Sequence, residues 1–327
     1  MKLSIITINY NNAEGLRKTL ASVASQTYRD IEHFIIDGGS TDGSVDVIKE
    51  YVRNVEGVKE LTNEGIHVVW SSEPDNGIYN AMNKGIEIAL GRRIVNIFNR
   101  SELVEDKNKG ICKANGDYIY ILNSGDILSS NDVVERMMEV IKHQTSNITH
   151  QTSDTVGLPI LMGNIVHVYG DERKVRERKR TKTIASTPQP IETSMLTFYS
   201  GTIPHDAAFV RRDLFEKYGL FDETMKICAD WKLYLDMIAL GGVVPMYVDI
   251  DVVLFDMSGV SNRDNERRLA ERRAYLEQVL PPSVLKDYDA YARPIRQYER
   301  LKKHHLWGFV TFIERFLFKL EKWRILN

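Results

Sequence analysis

The chain has 327 residues, enough for about two domains or for one long α/β sheet, and enough to build a core without disulfide or metal staples. Hydrophobic residues make up 43% and charged residues 27%; 43 Lys plus Arg against 45 Asp plus Glu leave a net charge of −2, which argues against a general nucleic-acid binder. Two cysteines, Cys112 and Cys228, exclude a disulfide scaffold and fit a reducing compartment.

The opening run Leu3 to Ile8 reads as a buried strand; it is too short for a secretory signal. Leu16, Leu20 and Val23 then share one helical face. Glu32 to Ile36 is the second strand, Val45 to Val52 a helix, His67 to Trp70 the third strand, and Tyr79 to Ala89 the next helix. Asp117 to Leu122 is the fourth strand. Alternation of this kind predicts an α/β fold with a mainly parallel sheet. Asn83-Lys84-Gly85-Ile86 recurs as Asn108-Lys109-Gly110-Ile111, and the charged stretch between reads as an inserted excursion.

Beyond residue 150 the pattern is less regular. Ile160 to Tyr169 predicts a strand, Ser186 to Ser194 a mobile loop, Phe209 to Tyr218 and Asp230 to Leu240 helices, and Val243 to Phe255 strand. From Asn265 the pattern is helical, broken at Pro281-Pro282. These shifts divide the chain into 1–264, with halves 1–130 and 131–264, and a helical extension over 265–327. No apolar run reaches the roughly 18 residues of a membrane-spanning helix, so a cytoplasmic location, or contact with the membrane's inner face, is expected.

Polar, glycine-rich segments follow each of the first three strands: Thr7-Ile8-Asn9-Tyr10-Asn11, Asp37-Gly38-Gly39-Ser40-Thr41-Asp42-Gly43 and Glu73-Pro74-Asp75-Asn76-Gly77. Singly they are turn signals. On successive strands of one sheet they line the edge where open α/β sheets bind ligands. Glycine lets the backbone approach a ligand, and Asp37 and Asp42 can accept hydrogen bonds from a base, hydroxyl or amide. Neither a G-x-G-x-x-G after the first strand nor a P-loop is present, which argues against a dinucleotide fold or a P-loop ATPase. The fourth strand delivers Asn123-Ser124-Gly125-Asp126, where one carboxylate can join substrate phosphates around a hard divalent cation.

Taken together, Ser4 to Asp126 resembles a family 2 glycosyltransferase of the GT-A, Rossmann-like fold, in the branch that builds bacterial surface polysaccharides. Asp75 to Gly85, with Ile78-Tyr79-Asn80-Ala81-Met82-Asn83-Lys84 inside it, is similar to the family's third motif, and Asn123 to Asp126 stands where its D-x-D lies. The resemblance implies a nucleotide-sugar donor held by Thr7, Asn9, Tyr10, Asn11, Asp37, Gly38, Ser40, Asp42, Asp75 and Lys84, and Mg2+ or Mn2+ at Asp126. Asn123 replaces the family's usual first Asp, and residues 92–107 lengthen the path from Lys84 to the metal strand.

Downstream, Pro204-His205-Asp206-Ala207-Ala208-Phe209 and Ala229-Asp230-Trp231 resemble the acceptor half. By resemblance Asp230 is the general base of a single, inverting displacement, and His205 and Trp231 approach the diphosphate or acceptor. Rival readings are a sugar-phosphate nucleotidyltransferase, whose G-x-G-T-R-L run is absent, and a catalytically degenerate nucleotide-sugar-binding partner in a membrane assembly complex. The basic run from Arg173 to Lys182 reads as a solvated face or a contact for anionic groups. Phe309, Phe312, Ile313, Phe316, Leu320 and Trp323 share a helical face flanked by Arg315, Lys319, Lys322 and Arg324. That pattern suits either a membrane surface, met through residues 300–327, or a helix docked on its own domain or a second subunit. Membrane contact would suit an acceptor carried on a polyprenyl diphosphate.

Overall fold

The computed structural model describes residues 1–62, 65–93, 114–148, 157–168, 175–178, 189–190, 193–256, 264–304 and 306–326. Most of the inserted excursion of 92–107, from residue 94 onward, and most of the basic run lie outside them. Its first strand, β1 (Leu3–Asn9), is buried along its whole length. Its side chains alternate between two cores: Leu3 and Ile5 face one, Ile6 and Ile8 the other. A strand buried on both faces must lie inside a sheet covered by helices on each side, and that is what forms.

The helix α1 (Ala13–Ala24) is capped by Asn12, whose side chain accepts from the Gly15 N–H at 3.1 Å. With α2 (Ser44–Thr62) it covers one face of β1, β2 (Ile31–Asp37) and β3 (His67–Ser72), through Leu16, Leu20, Val23, Ile48 and Tyr51. The helix α3 (Ile78–Ala89) covers the other face, with Met82 and Ile86 against Ile6, Phe34 and Ile36. Strands β1 and β2, β2 and β3, and β1 and β4 (Tyr118–Ile121) pair in parallel, as the alternating sequence predicts.

Beyond β4 the sheet is mixed, and the parallel rule stops. After β5 (Ile127–Leu128) and α4 (Val133–Ile148) come β6 (Ile160–Val168), β7 (Val175–Arg178), β8 (Gln189–Pro190) and α5 (Met195–Ser200). A short 3-10 turn, His205–Ala207, then leads into β9 (Ala208–Arg211). The helix expected from Phe209 is therefore a strand at first, and α6 (Arg212–Tyr218) begins only at Arg212. The reason is tertiary: β9 sits between β4 and β6, antiparallel to both, with Phe209 in one core and Ala208 and Val210 in the other. Likewise, the expected loop of 186–194 contains β8.

The helix expected from Asp230 splits into α7 (Ala229–Tyr234) and a π-helical turn, Leu235–Leu240. The strand β10 (Met246–Asp256) pairs in parallel with β6 and antiparallel with β5 and β8. The sheet order is β3-β2-β1-β4-β9-β6-β10-β5. The C-terminal elements are α8 (Asn265–Val279), α9 (Pro282–Lys303) and α10 (Trp307–Leu326). Tyr275 and Leu276 of α8 and Leu285 of α9 are buried in the same core as Trp231, so packing continues across residue 264. No helix among the described residues is long and apolar enough to cross a membrane.

Candidate active site

At the ends of β1 and β2 the polar residues organise one another. Asn9 donates from Nδ2 to Asp37 Oδ1 at 2.8 Å and to Ser40 Oγ at 3.2 Å. The Asp37 carboxylate also accepts from Ser40 Oγ at 2.6 Å, the Ser40 N–H at 2.9 Å and Ser72 Oγ at 2.6 Å. Four donors fill the lone pairs of a fully buried carboxylate, so Asp37 anchors the loop rather than standing open to a nucleobase. Thr7 is also fully buried and bonded to His33 Nε2 at 2.9 Å. Burial holds the His33 imidazole neutral, its pKa lowered to about 3.

What the edge offers to solvent is Tyr10, 65% exposed, with Asn11, Asp42 and part of Asp75. Asn11 binds the second loop in both directions: its N–H donates to Ser40 Oγ at 2.8 Å, and its side-chain oxygen accepts from the Thr41 N–H at 2.9 Å. Asp42 accepts from the Ala13 N–H at 2.8 Å and from Ser44, tying the starts of α1 and α2 together; the Ser44 hydroxyl and the Ala13 N–H lower its pKa. Gly38 leaves the edge close-packed: a Cβ there would lie 2.6 Å from Asp75 Oδ2 and 3.1 Å from the Tyr10 ring, so Asp75 would have to swing aside. Tyr10, Gly38 and Asp75 thus form one contiguous wall.

Helix α3 bridges this edge to the second half. Lys84, expected at the donor, is buried; its ammonium lies 3.1 Å from both Glu73 Oε1 and the Pro74 carbonyl, so it fixes the third loop. Asn83 donates to the Phe221 carbonyl at 2.8 Å and accepts from the Phe221 N–H at 2.9 Å. Asn80 and Asn83 both reach Glu223. The single Tyr79 O–H proton is shared between the Ile227 carbonyl at 2.6 Å, the closer acceptor, and Asp230 Oδ1 at 3.1 Å.

Asp230 opens α7. Its Oδ1 also accepts from the Trp231 N–H at 2.7 Å, and its Oδ2 lies 2.6 Å from His205 Nε2. Burial would raise the Asp230 pKa, but the charge and hydrogen bond of His205, with the Trp231 and Tyr79 donors, hold it below the ordinary carboxylate value. Burial would lower His205; Asp206 and Asp230 overcome it and push the imidazole up to about 10. His205 and Asp230 are therefore an ion pair at neutral pH. Asp206, 3.5 Å from His205, is raised by burial and by the neighbouring Asp230. Trp231, expected beside a ligand, is 1% exposed. Its Nε1 donates to the Phe198 carbonyl at 3.0 Å, and Tyr275 and the Arg272 guanidinium pack against its ring; it is a core residue because no face is left for an acceptor.

Asp126 is buried, in a turn held by Thr19, whose hydroxyl donates to the Asp126 carbonyl at 2.7 Å and accepts from the Gly125 N–H at 2.9 Å. Gly125 adopts φ 106°, a left-handed conformation that favours glycine. The Asn123 side-chain oxygen is buried without a hydrogen-bond partner. Burial, then Asp126 and Asp206, push the Tyr120 hydroxyl well up, so both carboxylates bear on one buried phenol; Tyr120 also donates to the Asp206 carbonyl at 3.0 Å. Among the described residues no three His, Cys, Asp or Glu side chains gather into a metal cage. One carboxylate and one unpartnered amide oxygen nevertheless fit a hard cation whose remaining ligands are substrate oxygens and water.

Residues 4–99 match the family described as Glycosyl transferase family 2. An uncharacterized glycosyltransferase of Mycobacterium tuberculosis is 31% identical over 268 residues, covering 80% of this chain and 77% of that protein. A PGL/p-HBAD biosynthesis glycosyltransferase of Mycobacterium bovis is 24% identical over 270 residues, 82% of each chain. Staphylococcus aureus TarS superposes with TM-scores of 0.55 for the UDP-GlcNAc complex (15% identity, 94% of this chain, 78% of that one) and 0.53 for the UDP complex (16%, 79% and 61%). The architecture is the GT-A fold. The chain belongs to glycosyl transferase family 2.

The sequence alone gives no role to Tyr79, Thr19, Ser72 or Asp206. Tyr79 lies inside the third motif and Asp206 beside His205 in the acceptor-half motif, so both are within reach of the sequence; Thr19 and Ser72 carry no local signal, because Asp126 and Asp37 are distant along the chain.

Proposed function

We propose that this protein transfers a sugar from a nucleotide-sugar donor to an acceptor hydroxyl by an inverting displacement, with Asp230 as general base. The observation that carries the reading is Asp230 itself: a carboxylate kept ionised by His205 and fixed on its other oxygen by Tyr79 and the Trp231 N–H. A base must be deprotonated and oriented before the acceptor arrives. Displacement of His205 from Oδ2 frees the oxygen that takes the acceptor proton. Low basicity in the free enzyme is thereby coupled to readiness once the pair opens. A diphosphate is the natural competitor for an imidazolium, so donor binding supplies the force that opens it.

The nucleotide lies along the Tyr10, Gly38 and Asp75 wall, and TarS, of the same fold, binds UDP and UDP-GlcNAc. Asp126, with Asn123, would hold Mg2+ or Mn2+, which when bound neutralises charge on the diphosphate. Assembly of cell-surface polysaccharide or glycolipid at the inner face of the cytoplasmic membrane is the setting, with a carbohydrate acceptor on a lipid carrier. The exposed apolar residues of α10 are the proposed membrane contact.

The test combines thermal shift and turnover across UDP- and GDP-sugars, with and without Mg2+ or Mn2+. One donor should raise Tm only with metal, and Asp230→Asn should keep that shift while losing at least about 1,000-fold in transfer. Full transfer by Asp230→Asn removes Asp230 as base; donor binding with no turnover by the wild type, given lipid-linked acceptors, favours the degenerate partner.

A further inference from the structure

Loop 226–228 leads directly into Asp230, and a carboxylate from the C-terminal extension grips it. Glu271 of α8 accepts from three consecutive backbone N–H groups: Lys226 at 2.9 Å on Oε1, and Ile227 at 3.0 Å and Cys228 at 3.1 Å on Oε2. Its side chain is 15% exposed. Ile227 is held from both sides, since its carbonyl accepts from Tyr79 at 2.6 Å. The Cys228 carbonyl in turn accepts the Lys232 N–H at 2.9 Å, the first hydrogen bond of the helix that carries Asp230.

The rest of the same α8 face reinforces the grip. The Cys228 thiol reaches the Arg268 carbonyl at 3.5 Å, Arg272 donates to the Gly201 carbonyl at 3.0 Å and packs its guanidinium 5.1 Å over Trp231, and Tyr275 meets Trp231 edge to face. Positions 268, 271, 272 and 275 recur at helical spacing, so one face of α8 is built to hold this loop. Charge-assisted hydrogen bonds are the stronger kind, and a backbone N–H left without an acceptor there is costly.

We infer that Glu271 is a positioning residue: through loop 226–228 it sets the Asp230 carboxylate where Tyr79 and His205 meet it, making α8 part of the catalytic unit. The inference rests on the Asp230 reading for its chemical meaning, but its geometric claim stands apart from it. An amide at this position has one acceptor oxygen where the carboxylate has two, and it brings an N–H donor towards backbone donors. Glu271→Gln should therefore let the loop drift and loosen the His205–Asp230 pair.

The test uses the full chain, and its deciding measurement needs no substrate. The His205 imidazole is titrated by NMR, with His205→Gln to assign its signal, in wild type, Glu271→Gln and Glu271→Asp. In the Gln variant the elevated His205 pKa should fall by at least one unit towards 6.5, with the shorter Asp intermediate. On the donor found by the panel, kcat should drop at least about tenfold with donor KM within about twofold. An unchanged His205 titration in a folded Gln variant would falsify the inference. Should that variant not fold, an unchanged titration in Glu271→Asp does the same. Full transfer by Asp230→Asn would remove the base reading yet leave the titration result standing, so the two failures are distinguishable.

Discussion

Asp230 and His205 sit 2.6 Å apart with about a fifth of each side chain exposed, and that pairing sets how the site responds to pH. The His205 pKa is raised in the fold, from 6.5 to about 10. Its contribution to stability is therefore complete below about pH 6.5 and is lost as pH rises towards about 10. Asp230 is lowered from 3.8, so its contribution is present above that value and lost as pH falls through the folded pKa. The pair is worth most between about pH 4 and 6.5. Melting temperatures of the wild type and His205→Gln should differ most in that window and converge as pH rises to 10. A constant gap from pH 5 to 10 would show that His205 is not a cation in the folded protein.

Among the elements, α3 does the most to join the two halves. Tyr79 holds loop 226–228 and Asp230, Asn80 and Asn83 share Glu223, Asn83 also holds Phe221, and Lys84 holds the third strand's loop. Its seat on the sheet depends on Gly85, where a Cβ would lie 2.4 Å from Ile6 Cγ2 and 3.4 Å from Ile36 Cγ1. Alanine gains about 1 kcal/mol of helix propensity over glycine. A contact that short in a packed core costs about 1–3 kcal/mol. Overpacking wins, since Ile6 is fully buried with nowhere to move. Gly85→Ala should be less stable in urea by up to about 2 kcal/mol, and it should lose turnover as α3 lifts Tyr79 from Asp230. Wild-type stability together with wild-type turnover would contradict this account of α3.

At the scale of the molecule, the C-terminal helices have two different surfaces. The α8 face enters the core, whereas α10 leaves Phe309, Phe312 and Phe316 at 65%, 66% and 56% exposure. Docking on the chain's own core would have covered them. Burying each phenylalanine in a membrane interface gains roughly 1.5–3 kcal/mol, and the sequence sets basic residues beside them. Removing 305–327 should abolish sedimentation with vesicles containing anionic lipid while leaving Tm within about 2 °C of the full chain, because no described side chain of α10 is part of the core. Undiminished sedimentation of the shortened chain would overturn the membrane assignment, and a loss of dimer instead would point to a second copy.

The sequence by itself determined the parallel half of the sheet, since β1 to β4 are local apolar runs separated by helix patterns, and the family, since its motifs are contiguous. It also names Asp230, Asp126, His205 and Tyr10 as candidate site residues, without their partners. What it did not decide was which motif residues face a ligand. Thr7, Asp37, Lys84 and Trp231 all stand in recognisable motifs, yet each is buried and spent on internal partners. The antiparallel insertion of β9, the bond of Tyr79 to Asp230 and the grip of Glu271 on residues 226–228 were likewise tertiary. Local pattern reports the period of burial along one element, whereas hydrogen-bond partners as far apart as Tyr79 and Asp230, 151 residues, are chosen only when the elements meet.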